Sequence, residues 1–192
     1  MSGLLKKKKP TVVVVTLNAR LRPLDRADVE DAFDAAMERQ GHGIRVVGGG
    51  TQMAPNGEIT ECDIEIEIDE PCDNIFEVVS GTFGTILAPK GSSLYVPNHD
   101  RRLNFGAHEG LALYLNGTEL RDDVYRDYDS NYVYEECSRL LEGIGVVSSH
   151  WQGPTETAIY VYGWDFTAMQ TRLAPFLQAY PLCQQCRVTQ IA

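Results

Sequence analysis

The sequence predicts an α+β protein of two tandem ferredoxin-like βαββαβ halves, each with two helices laid on an antiparallel sheet. Three observations lead to this. A β-branched run, an amphipathic helical stretch and a strictly alternating run follow one another in the first hundred residues. The same order of strand, helix, strand pair, helix and strand recurs after residue 107. The strand pairs at 44–68 and 145–162 are close enough to be hairpins, so they are antiparallel, and two crossovers per half then place the first and third strands centrally.

Taking the elements in order, residues 1–10 form a polar, basic tail with lysines at 6 to 9, and Thr11 opens the β-branched run Thr-Val-Val-Val-Val-Thr-Leu as the first strand. Asp25 is placed as an N-cap, with Asp28 in capping-box position and Leu24 stapling against Val29. Val29, Ala32, Phe33, Ala36 and Met37 then recur at helical spacing until the Gly41-His42-Gly43 break. Ile44 to Val47 reads as a short strand, the triplet Gly48-Gly49-Gly50 as a turn or bulge, and Asn56-Gly57 as a hairpin turn. In the strand that follows, Cys62, Ile64, Ile66 and Ile68 alternate with Glu61, Asp63, Glu65 and Glu67, so one face is apolar and the other bears four carboxylates. A second helix over 73–83 and a strand at Ser93 to Val96 complete the half, which spans 11–97.

Residues 98–107, with their polar and basic side chains, read as a linker. In the second half, 108–192, Leu111, Leu113 and Leu115 alternate in a strand, and Val133, Cys137, Leu140 and Leu141 mark a helix. Gly145 to Gln152 and Thr155 to Tyr162 form the hairpin around Gly153-Pro154. Phe166, Met169, Leu173, Phe176 and Leu177 mark the last helix, and Arg187 to Ile191 closes the sheet.

Charge narrows the choice of partners. With 17 basic and 27 acidic residues the net charge is −10, and four of the basic residues sit in the tail, so the folded part is more acidic still. Such a field repels nucleic acid and anionic membranes and attracts basic proteins or cationic ligands. No run approaches the ~20 apolar residues of a membrane span, and no secretory signal pattern precedes the first strand. A cytoplasmic location and reduced thiols at Cys62, Cys72, Cys137, Cys183 and Cys186 are expected.

If the helices cover Ile64, Ile66, Leu111, Leu113, Ile159 and Val161, the opposite faces carry the carboxylates Glu61, Asp63, Glu65 and Glu67 in one half and Tyr114, Tyr160 and Tyr162 in the other. Trp151 on the neighbouring strand, and Glu156 nearby, join the aromatic patch. These faces either pack on each other or on a second copy of the chain, making a homodimer, or form a recognition surface for Lys and Arg side chains. Aromatics on central strands also suit RNA bases, but the face lacks basic residues.

No catalytic, cofactor or metal motif emerges. Cys183-Gln-Gln-Cys186 lacks the second ligand pair of a zinc site and leads into a strand, unlike a redox pair opening a helix, so its cysteines are expected in a turn and the core. The glycine triplet does not run into a helix as a phosphate loop does. His108-Glu109, and His150 near Glu156, are the His/carboxylate neighbours that could support acid–base chemistry, without a nucleophile beside them.

The segments Gly-Gly-Gly-Thr (48–51), Asn-Gly-Glu-Ile (56–59) and Cys-Asp-Ile-Glu-Ile-Glu (62–67), together with Trp-Gln-Gly-Pro-Thr-Glu-Thr-Ala (151–158), resemble a bacterial family of duplicated ferredoxin-like proteins whose members bear no named activity. Size, acidity and architecture are similar in a general way to toxin-immunity proteins. The resemblance implies the fold from Thr11 onward and transfers no site residue. The expectation is a non-enzymatic acidic protein engaging a basic protein partner. The alternatives are a small-ligand sensor with its ligand between the halves, near Trp151, Glu156 and the linker, and third a His/Glu hydrolase.

Overall fold

The computed structural model describes residues 10–69, 74–97 and 100–192. The lysine tail at 6–9, Cys72, the expected helix start at Asp73, and Asn98 and His99 of the expected linker lie outside the described residues. The first half runs β1 (Thr11–Leu17), α1 (Pro23–Gln40), β2 (Ile44–Met53), β3 (Ile59–Ile68), α2 (Ile75–Ile86), β4 (Ser92–Val96) and β5 (Arg101–Phe105). The second runs β6 (Glu109–Asn116), α3 (Asp122–Asp127), α4 (Ser130–Leu140), β7 (Gly145–Gln152), β8 (Glu156–Gly163), α5 (Phe166–Ala179) and β9 (Arg187–Gln190).

The strand orders are β2-β3-β1-β4-β5 and β7-β8-β6-β9. All pairs are antiparallel, and in both sheets the first and third strands of the half are central, which is the ferredoxin-like order twice over. Register follows the hydrophobic pattern. Val13, Val15 and Leu17 lie opposite Ile66, Ile64 and Cys62, all fully buried, so a slip of one residue would carry the carboxylates of β3 into the core. Val29, Phe33 and Met37 of α1 and Ile75, Val79 and Phe83 of α2 cover that face, with the Phe33 and Phe83 rings stacked at 4.5 Å. In the second half Leu111 and Leu113 oppose Val161 and Ile159 beneath Val133 and Cys137 of α4 and Met169 and Leu173 of α5.

Several elements differ from the sequence reading. α1 begins two residues before Asp25, because Pro23 suits a first helical position whose N–H would be unbonded in any case. Asp25 sits at the third helical position, accepting the Arg22 backbone N–H (3.3 Å), and Leu24 is 80% exposed rather than stapled to Val29. β2 runs straight through the glycine triplet, with a bulge between Val46 and Gly48. A Cβ on Gly49 would meet the Asp63 carbonyl oxygen at 2.6 Å and the Glu30 carboxylate at 2.9 Å, so the strand passes there only without a side chain. The expected linker at 98–107 contains β5, whose residues 101–105 pair along β4 and extend the first sheet. α3 is an additional short helix ahead of the expected one.

The step from β5 to β6 takes only Gly106, Ala107 and His108. Gly106 has a φ of 103°, and a Cβ there would fall 2.1 Å from the Pro89 carbonyl oxygen, so this position admits only glycine. Ala107 and His108 donate their N–H groups to Ala88, and Lys90 donates to His108, which zips the two halves together at this edge. At the other end of the chain, the Ile191 N–H donates to the Gly110 carbonyl and the Gly110 N–H donates to Ala192, which pins the C-terminus to β6.

Candidate functional site

On β3 the side chains of Glu61, Asp63, Glu65 and Glu67 point away from the helices, with Asp63 and Glu65 exposed. Beside them on β1 lie Val12, Val14 and Thr16, and on β2 the side-chain-free Gly48 and Gly50 oppose Glu65 and Asp63. Thr16 donates to Asp63 (2.7 Å), and Glu67 is ion-paired with Arg45. Among the described residues no basic side chain pairs with Glu61, Asp63 or Glu65. Toward β5 the face changes character: Arg102 lies over the Tyr95 ring at 5.5 Å and donates to Ser93. No helix among the described residues covers this surface, because α1 and α2 occupy the other side of the sheet.

The matching face of the second sheet is interior. Tyr114, Tyr160 and Tyr162 are 6%, 0% and 2% exposed, and with Ala112 and Ala158 they belong to the same apolar cluster as the first half's core. The covering element is the β1–α1 connection, which places Ala19 and Leu21, both buried, on that face. Each of the three tyrosine hydroxyls is hydrogen-bonded to the first half. Tyr114 and Tyr160 donate to Glu58 (2.6 and 2.8 Å), Arg20 is ion-paired with the same carboxylate and donates to the Tyr114 hydroxyl (2.7 Å), and the Tyr162 hydroxyl accepts the Arg20 backbone N–H (2.7 Å). Burial pushes the Glu58 carboxyl up, but the two tyrosines and Arg20 outweigh it and hold the group below the ordinary carboxylate range. Burial, followed by the neighbouring carboxylate, drives the Tyr160 hydroxyl strongly upward.

A second polar group bridges the halves along β7. Arg22 grips Asp25 through Nε and Nη2 (2.7 and 2.9 Å), Ser149 donates to Asp25 (2.5 Å), and Arg22 Nη1 lies 2.9 Å from His150 Nε2. Burial raises the Asp25 carboxyl, yet the hydrogen bonds from Arg22 and Ser149 bring it below its usual range. Burial and then the Arg22 charge lower the His150 imidazole.

The residues expected as one partner surface are thus divided. Glu61, Asp63, Glu65 and Glu67 are on an open face, whereas Tyr114, Tyr160 and Tyr162 are inside, and Trp151 is half-buried against the same junction. The tyrosines are therefore not available as a surface, because the β1–α1 connection takes their face. Glu156 is at the rim, paired with Arg187 (2.8 Å), whose guanidinium sits 3.7 Å over the Tyr114 ring.

The His/carboxylate neighbours do not assemble. His150 lies on the side of β7 shared with Ile159, while Glu156 is engaged by Arg187. His108 packs on Trp164 with the rings tilted and their centroids 4.2 Å apart and accepts the Ala88 N–H through Nδ1, while Glu109 binds Lys90 and the Phe166 N–H. Cys183 is buried and Cys186 partly buried in the second core, joined by the Cys186 N–H to Cys183 carbonyl bond of a turn, and burial pushes the Cys137 and Cys183 thiols up to about 12. No group of three or more His, Cys, Asp or Glu among the described residues is arranged to hold a metal ion.

Sequence reasoning missed Arg20, Glu58 and Ser149, and it read Asp25 only as a cap. The one available signal is that Arg20 and Arg22 form a cationic pair in a short strand-to-helix connection of an acidic chain.

No family model matches the sequence, and no curated protein matches it. Among solved structures, a protein of unknown function from Galdieria sulphuraria is similar at a TM-score of 0.32 and 12% identity, covering 95% of this chain and 98% of that one. The first two RRM domains of the yeast poly(U)-binding protein Pub1 give a TM-score of 0.26 and 9% identity, covering 94% and 99%. At these TM-scores the fold rests on the strand order itself. No helix among the described residues is long and apolar enough to cross a membrane.

Proposed function

We propose that this chain is a non-enzymatic binding protein that takes a basic segment of a partner protein on the open face of its first sheet. A toxin-neutralising role in a bacterial cytoplasm is one concrete form of this reading. The single observation that supports it is the row Glu61, Asp63 and Glu65 on a central strand, on the open face of the first sheet, with no basic side chain of the described residues paired to it. Alternate residues of a strand lie about 7 Å apart, the spacing at which an extended peptide presents successive side chains on one side. Gly48 and Gly50 leave backbone room beside the row, and Val12 and Val14 give apolar surface for the stems of Lys or Arg. In this reading Tyr114, Tyr160 and Tyr162 take no part in recognition; they hold the two halves together.

The test is a pull-down from the source cell with the wild type and the triple variant Glu61→Gln, Asp63→Asn, Glu65→Gln. A basic protein retained by the wild type, released as salt rises and lost by the variant is the expected result. Partners retained equally by both proteins, or partners indifferent to salt, count against the proposal.

A further inference from the structure

The cleft between α4 and the β7–β8 hairpin differs in charge from the rest of the molecule. It is open to solvent, with a volume of about 310 Å3, and no carboxylate of the described residues lines it although the chain has 27 acidic residues. Its one charged side chain is Arg22, which belongs to the first half and reaches across the edge strand β7. By contrast, the cleft on the other side of β7, beside Val146, is rimmed by Asp25 and Asp28.

Most polar side chains of the cleft can donate a hydrogen bond, and Arg22, which spends Nε–H and one hydrogen of Nη2 on Asp25 and one of Nη1 on His150, keeps one on each Nη. Arg22 is always protonated, so His150 Nε2 must accept from Arg22 Nη1, and the neutral ring carries its proton on Nδ1. Among the described residues, the side chains of Ser130, Gln152 and Thr157, which line the cleft, and the Tyr134 hydroxyl have no hydrogen-bond partner. Burial and the Arg22 charge both favour the neutral imidazole. Apolar surface comes from Ile159 and from the Tyr134 ring, which stands edge-on to His150 at 6.3 Å. One fixed cation, several donors and a short apolar wall are the lining a small organic anion requires.

We propose that this cleft binds a small organic carboxylic acid, its carboxylate on the unspent N–H groups of Arg22 and a cleft hydroxyl, and its apolar body against Tyr134 and Ile159. Because Arg22 comes from one half and Tyr134 and Ser130 from the other, an occupant is held by both halves at once and stabilises their docking. The site is separate from the acidic face of β3, so the two proposals stand or fall independently.

The experiment titrates the full chain with phenylacetate, with 4-methylpentanoate and with phenylacetamide, the uncharged counterpart, following melting temperature and amide NMR shifts. Both acids should give a saturable rise in melting temperature, with shifts centred on α4 and β7, and the amide should bind about tenfold more weakly or less, as expected for loss of a charge-assisted hydrogen bond. Arg22→Gln should remove the preference for the acids. Since that change also weakens the grip on Asp25, Tyr134→Ala provides an independent variant confined to the second half. It should weaken acid binding about tenfold while leaving the fold intact, as judged by the amide spectrum. The triple variant of the β3 carboxylates should bind the acids as the wild type does. No saturable response to either acid, an equal response to the amide, or unchanged binding by Tyr134→Ala would overturn the proposal.

Discussion

The two sheets present the same topological face with opposite outcomes. On β3 that face is a row of carboxylates and stays open; on β6 and β8, the central strands of the other half, it is a row of tyrosines and is buried beneath the β1–α1 connection. The chemistry explains the difference. Burying three or four unpaired carboxylates would cost several kcal/mol for each ion, whereas a tyrosine buries a large ring and needs one partner for its hydroxyl. Here Glu58 and Arg20 supply those partners from the first half. A duplicated architecture therefore docks asymmetrically: one half offers a loop, the other receives it, and the first half's own face is left for something else.

The comparison is broken most severely by removing the carboxylate at its centre. Glu58→Ala strands Arg20 and two tyrosine hydroxyls at the junction, and the expected loss is about 3–5 kcal/mol of unfolding free energy, measured by urea denaturation. Tyr160→Phe keeps the ring and deletes one hydrogen bond to Glu58, so a smaller loss of about 1–2 kcal/mol is expected. If the second change costs as much as the first, the tyrosine ring rather than the ionic centre holds the halves.

Acid should separate the same groups by pH. His108 and His150 have lowered folded-state pKa values, so the unfolded chain takes up protons first. Stability begins to fall as pH drops below about 6.5 and continues down to the folded values. Glu58 and Asp25 are also lowered, and their contribution is fully present above about 4 and is lost as pH falls through their folded values. Denaturant midpoints followed across pH should thus show two limbs, the upper one flattened by His150→Asn and the lower one by Glu58→Gln. The smallest effect belongs to the open face. Glu61→Gln, Asp63→Asn and Glu65→Gln together should change stability by no more than about 0.5 kcal/mol, because these side chains pair with no basic group.

What the sequence determined by itself is the set of elements whose side chains repeat with a clear period. The alternation from Cys62 to Ile68 dictates both the strand and its two faces, and the spacing of Met169 and Leu173 dictates a helix. Glycines carry no such period, so the passage of β2 through residues 48–50 had to be read from the structure. The polar, basic β5 was equally silent, since an exposed edge strand buries too little to impose a pattern. The acidic half of the candidate surface was legible as far as its face, and the aromatic half was legible only as a row of tyrosines. Whether those tyrosines meet solvent or protein depends on the Arg20–Arg22 pair, Glu58 and Ser149, which come from three distant stretches of the chain, in loops or an edge strand without periodicity. Periodicity reports how a segment meets its own sheet or helix, and the docking of one half on the other is a long-range choice that only the tertiary structure makes.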